Sequence, residues 1–298
     1  MEHIQQYKNY ETILNCLGIV CFFSSILFMA VLGNFNIILG ISCFILLVIL
    51  SIILFIKASI YKNKYTYLYK ENLVYPLLNE NFDNVLFNAN GGFNESYINN
   101  IGLIKRGNSY HSEDYLEATY NGVNFKHADV KVIEESYTEE YNSDNQDYET
   151  RINHNTYFMG RILEIDCPYK DIKSVQIFTN SFKNRGNSKY DMTYIEVESV
   201  DFNNQFDVFT ANDMEAFYIL TPPLMEKLIE LKEKYKNIGL CYQDNKLYIA
   251  IWTPTNTFDG METKINSYDR YINYDEEQNK IIEELNVIKE FIDKLSTI

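Results

Sequence analysis

The groups in this chain with a capacity for chemistry are four histidines, five cysteines and an excess of carboxylates. His127 and Asp129 are separated by Ala128 alone. In an extended strand that spacing puts both side chains on one face, as in an acid–base pair or two ligands of a metal ion. No third ligand accompanies them, so the plain alternative is a solvated strand face. Asp213 and Glu215 form a second pair, two carboxylates that could divide acid and base roles in a hydrolase or transferase, with or without a divalent metal. They precede a helix start, where carboxylates also simply bond backbone N–H groups.

The remaining reactive groups are dispersed. His3, His111 and His154 lie far apart, and His154 sits in an acidic, polar stretch. Cys16, Cys21 and Cys43 fall in apolar runs, leaving Cys167 and Cys241, which are expected to be buried as small hydrophobes. An odd count without C-x-x-C is no disulfide framework and suits a reducing compartment. No G-x-S-x-G, H-E-x-x-H, Walker or G-x-G-x-x-G pattern occurs, and Gly91-Gly92 is too short for a phosphate loop. The sequence therefore assigns no catalytic residue, no metal ligand set and no cofactor. The 25 tyrosines are expected to cover sheets, and Trp252 to sit in the core or at a domain rim.

Residues 13–33 and 37–56 carry no charge, and each run is about the twenty residues that a helix needs to cross a bilayer. Between them stands only Asn34-Phe35-Asn36. Lys8 precedes the first run and Lys57, Lys62, Lys64 and Lys70 follow the second, so the positive-inside rule puts both termini in the cytoplasm. A cleaved signal peptide does not fit: one Lys stands against Glu2 and Glu11, and a second span follows at once.

The charges within residues 1–57 cancel, so the whole net charge of −15 lies in the remainder. Such a surface repels phosphate backbones and argues against nucleic-acid binding. A 46% hydrophobic and 15% aromatic composition argues against disorder. Residues 61–88 read as a helical connector that Pro76 should kink or end. Asn94 is placed to cap a short helix through Ile101, and Asn121-Gly122 signals a β-hairpin. Residues 134–156, acidic and nearly free of aliphatics, read as a mobile loop. Strands are expected over 157–167, 174–179, 192–200, 205–210, 238–242 and 247–252. Thr221-Pro222-Pro223 should open a helix through its hydroxyl cap, and 275–295 forms an amphipathic helix. The architecture expected is α+β: a transmembrane hairpin over 1–57, a connector over 58–88, and a mostly antiparallel sheet domain with packed helices over 89–298.

One stretch carries a resemblance. Phe202, Phe206, Val208, Phe209, Asp213, Glu215, Ala216, Tyr218, Ile219, Leu220, Thr221, Pro222, Met225, Glu226 and Leu228 resemble the pattern of a bacterial, membrane-anchored family known as domain of unknown function 3137. Residues 244–251 also fit, as do Glu113-Asp114-Tyr115, Gly122-Val123-Asn124-Phe125, Ala128-Asp129-Val130 and Phe158-x-Gly160-Arg161. The resemblance covers most of 82–260 and implies the same membrane-anchored α+β arrangement, with Phe206, Val208, Ala216, Tyr218, Leu220, Thr221, Pro222 and Met225 in structural roles. The family commonly has Arg after Glu-Ala, where this chain has Phe217. The resemblance implies no activity.

The leading expectation is a non-enzymatic interaction or scaffolding domain held at the cytoplasmic face, with the lipid bilayer and a protein or small molecule as partners. The alternatives are a carboxylate-based hydrolase or transferase built on Asp213 and Glu215, and a sensor signalling through the connector.

Overall fold

Long uncharged runs have one stable solution, a helix that satisfies its own backbone. In a computed structural model of the chain they form α1 (Glu2–Gly33) and α2 (Ile37–Tyr69). The structure describes residues 2–142, 147–166, 169, 172–254, 256, 258–259 and 273–296. It divides into two compact units, Met1–Leu77 with Phe258–Ile281, and Leu78–Thr257 with Ile282–Ile298.

In the first unit Asn36 caps α2, its side chain accepting from Ile38 N and Leu39 N. Small residues bring the two helices together. A Cβ added at Gly40 would lie 2.9 Å from the Gly33 nitrogen, and Ser51 Oγ donates to the Gly18 carbonyl at 2.9 Å. Both helices are long and apolar enough to cross a membrane. Towards their other end, rings and lysines form a girdle. Tyr61 lies 5.9 Å from Tyr7 and 5.4 Å from Tyr10, while Lys8 Nζ is 4.9 Å from the Tyr65 ring.

The helix does not stop at Pro76 but widens before it. Residues Lys70–Val74 form a π-helical turn in which Tyr75 N donates to Lys70 O, and α3 (Tyr75–Asn81) follows. The proline ring crowds the carbonyl four residues earlier, and the wider turn accommodates it. Residues 83–88, expected as part of the connector, are instead a strand. Within the same unit Tyr69 OH donates to Glu277 Oε2 at 2.9 Å, and Lys70 pairs with Asp259 at 2.6 Å.

The second unit is built on one antiparallel sheet. Its elements are β1 (Asp83–Asn88), α4 (Glu95–Ile101), β2 (Ser109–Tyr120), β3 (Val123–Asn142), β4 (Asp147–Asp166), β5 (Val175–Thr179), β6 (Thr193–Ile195), α5 (Val200–Asn203), β7 (Phe206–Thr210), α6 (Asp213–Ile219), α7 (Pro222–Tyr235), β8 (Ile238–Gln243) and β9 (Lys246–Trp252). The helix α8 (Tyr274–Leu295) enters it from residue 282 onward. The strand order is β1-β2-β3-β4-β9-β8-β5-β7-β6. Asn121 and Gly122 have φ of 51° and 79°, the turn that joins β2 to β3 in register Tyr120↔Val123.

Alternation along the strands divides the core. Ala128, Val130, Val132, Phe158, Ile162, Cys241 and Ala250 pack with Phe93, Ile98 and Ile101 around α4. Leu224, Leu228 and Leu231 of α7 are fully buried, as are Leu285, Phe291 and Ile292 of α8. The two helices are joined by Tyr235, whose hydroxyl donates to Glu290 at 2.7 Å and whose ring lies 5.1 Å from Phe291.

The loop expected over 134–156 is a correction. Its described residues belong to β3 and β4, paired from Ile133↔Thr156 to Asn142↔Asp147; residues 143–146 lie outside the described set. β2 reaches only Ile133 and β9 only Gly160, so this part of the hairpin is a two-stranded ribbon beyond the sheet. Asn108 marks where it leaves: its amide donates to Glu135 O at 2.7 Å and accepts from Glu135 N at 2.8 Å, replacing one rung of a strand. Further along, the expected strand 192–200 shortens to β6, because Ser199 caps α5 by accepting from Phe202 N.

Candidate functional site

His127 and Asp129 do share a face of β3, as their spacing requires. That face is not solvated at His127, which is 2% exposed. The register puts Asp129 opposite Arg161 of β4, and Arg161 Nε lies 3.6 Å from Asp129 Oδ1. From the other side Glu284 of α8 makes an ion pair with the same guanidinium. An aspartate, an arginine and a glutamate thus tie two strands to a helix. Gly160, just before Arg161, is required by close approach: a side chain there would collide with the Ile251 carbonyl.

Burial and the Arg161 charge push His127 down to about 3, against a hydrogen bond to the Asp114 backbone. Asp114 stands at an irregularity of β2 with φ of 58°. A general acid or base works best with a pKa near the operating pH, and this imidazole is held neutral far from it. The cluster's chemistry is cohesion.

Asp213 and Glu215 precede α7 and lie in the first turn of a separate short helix, α6. Asn212 is the cap residue, accepting from Met214 N at 3.2 Å. Glu215 accepts from Lys173 N at 2.9 Å and from Asn212 Nδ2 at 3.2 Å, while Asp213 is exposed. β3 and β7 are five strand positions apart, roughly 24 Å at about 4.8 Å per spacing. The His127–Asp129 and Asp213–Glu215 pairs therefore do not converge. Thr221 occupies the cap position of α7, but its hydroxyl makes no capping bond; Pro222 and Pro223 shape that start. Phe206, Val208, Ala216 and Leu220 are buried, and Phe206 stacks on Phe202 at 4.6 Å. Met225 is half-buried on α7, and Tyr218 is exposed, its ring 5.4 Å from Tyr169. Cys241 is buried and its thiol is pushed up to about 12, chiefly by desolvation, which leaves it unreactive. Cys167 lies outside the described residues.

A cavity of about 270 Å³ opens elsewhere in the same unit. Tyr157, Phe182 and Trp252 supply its aromatic wall, and Ser181, Lys183, Asn184 and Asn237 its polar one. The wall is fixed from beneath by Phe158, whose ring meets Trp252 edge-on at 5.9 Å and Phe182 at 6.3 Å. The basic turn at 183–187 is held by Lys105 N, which donates to Asn184 O at 2.9 Å, and by an antiparallel bridge between Ile104 and Arg185. That pairing sets Lys105 and Arg106 beside Lys183 and Arg185. Lys105 Nζ stands 4.0 Å above the Tyr157 ring, and the Arg185 guanidinium 3.4 Å from the Phe209 ring. Sequence reasoning saw an exposed basic turn and a tryptophan, with no signal that they share a cavity.

Comparison with protein families matches residues 148–297 to a family described as protein of unknown function (DUF3137). The chain belongs to this family. The DUF3137 match begins in β4 and takes in Arg161, Glu284 and every residue lining the cavity, whereas His127 and Asp129 lie upstream of it. Phe217, where an arginine is common in the resemblance noted above, is half exposed on α6. No curated protein and no solved structure matches this DUF3137 chain.

Proposed function

We propose that this DUF3137 protein is a membrane-tethered recognition domain that binds a partner at the cytoplasmic face without transforming it. The exposed apolar flanks of α1 and α2 carry the reading: Phe23, Leu27 and Leu46 are 63–65% exposed on helices that pack only narrowly on each other. Hydrocarbon is the solvent that such flanks require. The tyrosine–lysine girdle suits the headgroup level, where amphipathic rings gather, and basic residues on that side alone favour a cytoplasmic location for both termini. Ionisable groups in the second unit support the non-catalytic part, since His127, Asp129, Arg161 and Glu284 are engaged in cohesion and Glu215 in bonds from Lys173 N and Asn212 Nδ2.

The test is cysteine accessibility in intact cells, with the native cysteines replaced. A membrane-impermeant maleimide should label Asn34→Cys and leave Asn187→Cys unlabelled until the membrane is opened. Labelling of Asn187→Cys alone would reverse the topology, and labelling of neither or release of the chain by carbonate washing would end the tether.

A further inference from the structure

We infer that the cavity walled by Tyr157, Phe182 and Trp252 is a binding site for a small planar anion, a single ring bearing a carboxylate or phosphate. This rests on the recognition reading above and names the class of ligand. Size sets the first limit: about 270 Å³ falls just below the volumes that hold drug-sized ligands and fits one substituted ring. Three aromatic side chains offer faces and edges to such a ring. Charge sets the second limit. In a chain of net charge −15, the pairing of 104–105 with 184–185 brings Lys105, over the Tyr157 ring, and Lys183 to one cavity. Lys105 and Lys183 make no ion pair among the described residues, so their charge is available to an anion; most other carboxylate-rich surface would repel one. A third observation is independent of both. Asn237 lines the cavity, and its side-chain Oδ1 is buried without a hydrogen-bond partner. A buried acceptor left unmatched costs free energy that rotation of the amide towards a donor on the ligand would recover.

Trp252 is the single tryptophan of the chain, so its emission reports this cavity directly. The full-length protein in detergent is titrated with 4-hydroxybenzoate, phenyl phosphate and nicotinate, and in parallel with the neutral amides 4-hydroxybenzamide and nicotinamide. The expected result is a saturable change in Trp252 emission with at least one of the three anions, and none with the neutral amides. Lys105→Ala with Lys183→Ala should weaken that binding by roughly tenfold or more, Lys173→Ala should leave it unchanged, and Asn237→Leu should weaken it without altering its dependence on salt. Absence of any saturable change up to millimolar anion overturns the proposal, as does equal binding of the neutral amides or indifference to the double lysine change. Failure here with the topology intact leaves the tether standing. Binding followed by chemical loss of the ligand would keep the site and overturn the non-catalytic reading.

Discussion

His127 is where a single residue ties the fold to pH. Its folded pKa, about 3, lies below the ordinary 6.5, so the neutral imidazole contributes stability that is complete above pH 6.5. That contribution is lost as the pH falls from 6.5 towards 3, because the unfolded chain takes up the proton first. Asp244 and Glu290 are also depressed, by their lysine partners, but from 3.8 and 4.5, so they act at lower pH. Between about pH 6.5 and 4.5 the melting temperature should therefore decline, and His127→Leu should flatten that decline while lowering the plateau. An equal slope in both proteins would refute the assignment. Arg161 offers a second measurement. Arg161→Met removes the guanidinium that pairs with both Asp129 and Glu284. Both carboxylates are partly exposed, so the cost should be about 2–4 kcal/mol, below the upper range for a buried pair. Adding Glu284→Met should recover part of it in a denaturant double-mutant cycle. Neither role was legible beforehand. The i, i+2 spacing showed that His127 and Asp129 share a face, but Arg161 and Glu284, which complete the cluster, come from β4 and α8, distant in sequence.

At the scale of elements, several local signals were read correctly, although the Thr221 hydroxyl does not cap α7. Asn94 caps α4, Asn121-Gly122 turns β2 into β3, and the amphipathic stripe of α8 is buried as its spacing implies. Gly122 meets nothing within 4 Å, so the cost of Gly122→Val is conformational alone, about 1–2 kcal/mol in equilibrium unfolding. Gly40 differs. Its neighbour is backbone, so Gly40→Leu must push α1 and α2 apart, and a cysteine pair bridging the helices beside it should crosslink far less efficiently. Reading failed over 134–156 for a physical reason. A ribbon with neither face against a core has no need of alternating aliphatics, and Tyr137 and Ile152 stand 66% and 53% exposed on it. Composition there reports solvent, not the absence of strands. The cavity was hidden differently: its residues come from β4, the turn after β5, and the neighbourhoods of β8 and β9, and no spacing rule joins them.

For the molecule as a whole, α+β was the right class because uncharged runs and alternating strands announce themselves. The ribbon of β3 and β4 carries one further consequence. Over residues 134–142, roughly 30 Å at about 3.4 Å per residue, both of its outer edges present backbone groups that no other strand pairs. Left plain, such edges are seeds for edge-to-edge polymerisation between neighbouring copies. Glu134, Glu135 and Glu139 put like charges along one edge, so two copies that approach in register repel. Changing Ser136 and Glu139 together to Val should convert the isolated protein into concentration-dependent, thioflavin-positive fibrils at an ionic strength where the parent stays dispersed. The acidity that makes this stretch look structureless is, on this view, what lets a bare strand pair exist without growing.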